Sequence, residues 1–116
     1  MEHSDIIKQA YIAFNKRNID AVLKLFHPEV EWPNGWEGGY VHSHGEVREY
    51  WTRQWKELDP LVLPVKVKQL DNNRLQVDVK QLVKNMEGQV IADGMVIHTY
   101  IFDGDLIKKM IITPGD

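Results

Sequence analysis

Apolar residues along the chain follow two rhythms, and the change from one to the other divides it. In the first, Ile7, Ala10, Tyr11 and Phe14 recur at the i, i+3, i+4, i+7 spacing of one buried helical face. Ser4 is the expected cap of this helix, with Asp5 as its first residue and Asn18 as a stop. Asp20 is expected to cap a short second helix that carries Val22, Leu25 and Phe26 on one side and ends at Pro28. Val30-Glu31-Trp32 reads as a short strand. Residues 33–45, with Pro33, Asn34, Gly35, Gly38, Gly39 and Gly45, read as a loop. Ser43-x-x-Glu46 then has capping-box spacing, ahead of a third helical face made of Val47, Tyr50, Trp51, Trp55 and Leu58. Asp59-Pro60 is the expected close, because a residue before proline avoids the α region.

Beyond that point the period is two. Val65 and Val67 alternate with lysines, and Leu75, Val77 and Val79 alternate with Gln76, Asp78 and Lys80. Asp71-Asn72-Asn73 and Asn85 to Gly88 separate the strands, and Asp103-Gly104 turns the long strand Val90–Phe102 into the last one, Leu106–Thr113. Pro64 predicts a first long strand that starts late or lies on an edge. Helices followed by antiparallel strands give an α+β class, with the helices on one face of the sheet and one domain over residues 1–116.

The last two strands lack a polar side. One face of the fourth strand holds Val96, His98, Tyr100 and Phe102, and the other holds Met95, Ile97, Thr99 and Ile101. The helices can cover only one of these faces. The face with Met95, Ile97, Thr99 and Ile101 is therefore the expected surface of a sheet-on-sheet homodimer, the alternative being that a chain terminus folds across it.

Composition narrows the function classes. The net charge of −3 and the lack of a basic block leave no footprint for nucleic acid. There is no apolar run of membrane-spanning length, and Met1-Glu2-His3-Ser4-Asp5 does not read as a signal peptide. With no cysteine, disulfides, thiolate catalysis and cysteine-bound metals are excluded, and a cytoplasmic location is expected. Neither a phosphate-binding glycine loop nor Gly-x-Ser-x-Gly is present, and no cofactor is expected. All four tryptophans fall within residues 32–55.

Three stretches carry a family likeness: Tyr11–Asn15 through Asp20–Trp32, Glu46–Trp51, and Val96–Gly104. In these the chain resembles the nuclear transport factor 2-like superfamily, in its SnoaL-like polyketide cyclase and ketosteroid isomerase branch. The resemblance implies a cystatin-like cone, in which a curved antiparallel sheet wraps the N-terminal helices and leaves an apolar pocket at the open end. It also implies dimers through the sheet. Ketosteroid isomerases use an aspartate base with a tyrosine and a protonated aspartic acid as oxyanion donors. By local alignment the base position falls on Trp32, the tyrosine position near Ala10 beside Tyr11, and the protonated acid on His98. The isomerase set is therefore incomplete, and steroid isomerisation by that route is not expected.

The candidate site follows from both lines. His98 is the one imidazole on an otherwise apolar and aromatic strand face. Burial there favours the neutral ring, as a general acid/base needs near neutral pH, although a core histidine satisfied by a neighbouring hydroxyl has the same pattern. Tyr11, Phe14, Trp32, Trp36, Trp51, Trp55 and Tyr100 are the expected pocket residues for a hydrophobic small molecule. In the loop, the glycines allow movement, Trp36 is placed to close over a ligand, and Glu37 or His42 to touch its polar end. His42, His44, His98 and Glu37 offer a metal alternative that no ligand spacing supports, and no metal is expected. Two function classes remain: a pocket that carries out acid/base isomerisation, dehydration or cyclisation of a carbonyl-bearing ligand, and a non-catalytic ligand-binding or dimerisation module.

Overall fold

The computed structural model describes residues 2–115. Helix α1 (His3–Asn15) buries Ile6, Ile7, Ala10 and Tyr11, the face set by its spacing. It starts earlier than expected. Glu2 occupies the cap position without a side-chain bond, so Ser4 lies inside the first turn. Helix α2 (Ile19–Leu23) is capped by Asn18, whose side chain accepts from the Ala21 N–H, rather than by Asp20. Helix α3 (Ser43–Glu57) buries Val47, Tyr50 and Trp51. Ser43 is not its cap, since its φ of 73° places it in the left-handed region. Half of the expected box survives, because Glu46 accepts from the His42 N–H at 2.7 Å.

Six strands make one sheet: β1 (Phe26–Pro33), β2 (Tyr40–His42), β3 (Leu58–Gln69), β4 (Arg74–Asn85), β5 (Val90–Asp103) and β6 (Leu106–Pro114). Their order is β2-β1-β6-β5-β4-β3. Four pairings are antiparallel, but β1 runs parallel to β6, so the sheet is mixed rather than wholly antiparallel. Pro28 lies within β1 and Pro60 within β3, where each had been expected to end a helix. β3 is an edge strand, which tolerates Pro60 and Pro64 because its outer N–H groups face no partner strand. Gly104, at φ 62°, turns β5 into β6.

The sheet is curved and unclosed, and its inner face packs against the helices. Leu75, Val77 and Val79 of β4, His98, Tyr100 and Phe102 of β5, and Ile107 and Met110 of β6 are buried there. Met95, Ile97, Thr99 and Ile101 alternate with these on the outer face and are half-buried. Among the described residues the C-terminal end does not cross that face. Gly115 bonds to the Met95 carbonyl at 3.1 Å and extends the β6 pairing. Among the described residues no helix is long and apolar enough to cross a membrane.

Candidate functional site

Between α1, α3 and the inner sheet face lies a cavity of about 290 Å³, near the lower end of the usual range for small-molecule sites. Tyr11, Phe14, Trp32, Trp36, Trp51, His98 and Tyr100 all line it. Tyr11 and Phe14 come from the buried stripe of α1, Trp51 from α3, Trp32 from β1, and His98 and Tyr100 from the inward phase of β5. Trp55 does not line it. It stacks behind Trp51 at 5.6 Å and packs against Phe14 at 5.4 Å, with the Arg17 guanidinium 5.0 Å from its ring. Its Nε1 is buried without a hydrogen-bond partner. One turn of α3 carries Trp55 out of the wall, and Gln54 lines the cavity instead.

The deep end holds the polar chemistry. Tyr11 Oη lies 2.7 Å from His98 Nδ1, and Tyr100 Oη lies 2.8 Å from Tyr11 Oη. His98 is 5% exposed, and burial pulls its pKa down from 6.5 to about 4, so the ring is neutral at physiological pH. Burial likewise pushes the Tyr11 and Tyr100 phenols well above their usual value, and both stay protonated. His98 Nε2 has no partner among the described residues, yet it is not a sealed-off atom. The His98 ring lines the cavity.

The wall is aromatic. Trp32 stacks on Phe26 at 4.9 Å and meets Trp51 edge-on at 5.7 Å, while Phe14 meets Trp51 edge-on at 5.3 Å. No charged side chain is among the residues that line the cavity. Its other polar side chains are Tyr50, Gln54 and Gln81, besides the indole N–H groups of Trp32, Trp36 and Trp51. Gln54 donates to Tyr50 Oη at 3.1 Å, and burial raises the Tyr50 phenol to about 12. The sequence reading missed Gln81 as a lining residue. The signal was present, since Gln81 continues the inward phase of Leu75, Val77 and Val79 and so puts a polar group where an apolar one is expected.

The loop at the mouth is tied rather than loose. Asn34, also buried, accepts from the N–H groups of Trp36 at 3.1 Å and Glu37 at 2.7 Å and donates to Glu37 Oε1 at 2.9 Å. Arg53 of α3 donates to the same carboxylate at 2.8 Å. Asn34 and then Arg53 lower the Glu37 pKa. Glu37 is thus a latch between loop and helix and does not line the cavity. Nor does His42, which faces Glu31 at 3.9 Å, while His44 Nε2 bonds to the Phe26 carbonyl at 3.0 Å. His42, His44, His98 and Glu37 do not converge, and no cluster able to hold a metal forms among the described residues.

Residues 7–109 match the family model of the SnoaL-like domain, and the chain belongs to that family. Its fold is similar to that of a nuclear transport factor 2-like protein of unknown function from Burkholderia pseudomallei (TM-score 0.86, 20% identity, 99% of this chain and 92% of that one). It is also similar to TerC co-crystallised with polyporic acid (TM-score 0.85, 22% identity, 97% and 91% of the two chains). A third similar structure is the epoxide hydrolase/cyclase-like enzyme SalBIII of pyran ring formation in the polyether salinomycin (TM-score 0.81, 13% identity, 97% and 90%). No curated protein matches the chain.

Proposed function

We propose that the cavity binds an uncharged, hydrophobic small molecule bearing a carbonyl oxygen, with that oxygen against His98. The observation that carries this reading is an aromatic cavity with no charged lining residue and a neutral imidazole ring in its lining. An ion entering such a space loses its water without gaining a counter-charge, whereas a ketone gives up little and gains one hydrogen bond. Isomerisation, dehydration and cyclisation are the reactions that polarising such a carbonyl serves. TerC with polyporic acid and SalBIII with its ring-forming role are in keeping with a small-molecule pocket on this fold. The lack of cysteine is in keeping with a cytoplasmic location.

A second reading is favoured by Trp32 and by the lack of any carboxylate in the lining. With no carboxylate base beside His98, the domain is then a binder without turnover. The outer sheet face, with Met95, Ile97, Thr99 and Ile101 half-buried, serves as the homodimer surface in both readings.

Tryptophan fluorescence tests the pocket. Titration with 2-acetylnaphthalene is expected to give saturable quenching, weakened about tenfold in His98→Ala. A response that never saturates, or one that His98→Ala leaves unchanged, contradicts the reading. Turnover of a bound ketone distinguishes the enzyme from the binder.

A further inference from the structure

We infer that Tyr11, backed by Tyr100, acts as the positioning residue that fixes the tautomer of His98. The proton is placed on Nε2, and the cavity is offered an N–H donor rather than a basic lone pair. The proposed function is needed only to say what meets that donor, while the tautomer itself follows from hydrogen-bond accounting. Each phenol carries one hydrogen and the neutral imidazole carries one, so the chain Tyr100–Tyr11–His98 can run in two directions.

In one direction Tyr100 donates to Tyr11 over 2.8 Å and Tyr11 donates to His98 Nδ1 over 2.7 Å. Every phenolic hydrogen is then used, and the remaining hydrogen sits on Nε2, which has no hydrogen-bond partner among the described residues. In the other direction His98 Nδ1–H donates to Tyr11, Tyr11 donates to Tyr100, and the Tyr100 hydrogen must find a third partner. None exists among the described residues. Tyr100 is 2% exposed, and the only other hydrogen-bond partner of its hydroxyl among the described residues is His98 Nδ1 itself at 3.5 Å, which is already protonated in this direction. An unmet buried donor of this kind biases the balance by roughly tenfold or more.

The direction matters for ligand class. A basic Nε2 would take a proton from a carbon acid or a hydroxyl. An Nε2–H instead requires an acceptor, such as a carbonyl or quinone-type oxygen, and discriminates against a hydrocarbon of the same shape. Donation from Tyr11 into Nδ1 polarises the ring and strengthens the N–H, most of all as negative charge grows on the ligand oxygen. The two tyrosines therefore act on the ligand through His98.

Ring 15N NMR of the ligand-free protein tests the assignment. The wild-type spectrum should show Nε2 protonated and Nδ1 unprotonated between pH 6 and 8. Tyr100→Phe keeps this pattern, because Tyr11 still donates. Tyr11→Phe combined with Tyr100→Phe should show both tautomers in exchange. A wild-type proton on Nδ1, or a double variant with the wild-type tautomer, overturns the inference. If the double variant does not fold, the wild-type spectrum decides alone. Binding of 2-acetylnaphthalene and 2-isopropylnaphthalene separates this inference from the proposed function. The ketone is expected to bind about tenfold more tightly, and equal affinity counts against a donor in the cavity. If neither compound binds while Nε2 is protonated, the proposed function fails and the tautomer stands. If the ketone binds and Nε2 is bare, the reverse holds.

Discussion

At the scale of single residues, His98 differs from the other four histidines by where its strand phase places it. His3 stacks on Phe102 and bonds to the Gly104 carbonyl, His27 faces Asp103, His42 faces Glu31, and His44 bonds to the Phe26 carbonyl. Only His98 is turned into the core, and burial there carries a stability signature. The unfolded chain takes up this proton near pH 6.5, and the folded chain only near about 4. Between those values the unfolded state binds more protons, so the His98 contribution is full above 6.5 and is lost as pH falls toward 4. The loss is at most about 3 kcal/mol. Denaturant unfolding at pH 7.5 and 4.5 should show it as a difference in slope between wild type and His98→Gln, and parallel slopes would contradict it. The inward phase of this residue was legible because a strand has a strict period of two. The partner on Nδ1 was not, since Tyr11 stands on α1, 87 positions away.

The elements show where local pattern is sufficient and where it is not. The spacing of Ile7, Ala10, Tyr11 and Phe14 predicts most of the buried face of α1 because each residue answers to neighbours one turn away, although Phe14 is half-buried and Ile6 joins the face. The loop 33–45 hid strand β2, whose three residues gain their pairing only from β1. The Asn34-Gly35 pair carried a usable signal, since an asparagine side chain can bond to the backbone that follows it, and here it organises the turn at the mouth. On α3, helical spacing alone put Trp51 and Trp55 on one face, but only Trp51 reaches the cavity. Their substitutions should therefore diverge. Trp51→Ala removes a side chain 1% exposed that touches Phe14, Phe26, Trp32 and Trp55, and is expected to cost about 3–5 kcal/mol. Trp55→Phe removes an unpaired buried N–H while keeping a ring beside Trp51, and should change stability by less than about 1 kcal/mol. Chemical denaturation measures both, and equal losses would contradict these assignments.

For the whole molecule, helices on one side of a curved sheet leave two consequences, a pocket inside and an apolar face outside. The class and the covered inner face were legible from the switch between helical and strand periods. The parallel pairing of β1 with β6 was not, because no local pattern specifies a partner some eighty residues away. The outer face carries Ile97 and Ile111 beside Met95 and Ile101, all half-buried in the single chain. Sedimentation at micromolar concentration is expected to give a dimer, and Ile97→Lys a monomer with its fold intact. A wild-type monomer would contradict the sheet-on-sheet assignment. Central to the proposed function is an oxygen-bearing ligand lying against His98 in a space free of charge. A crystal structure of the protein grown with 2-acetylnaphthalene tests that most directly. Density is expected in the cavity with the ketone oxygen within hydrogen-bonding distance of His98 Nε2. A cavity filled by the protein's own side chains, or a ketone bound with its oxygen turned away from His98, would contradict it.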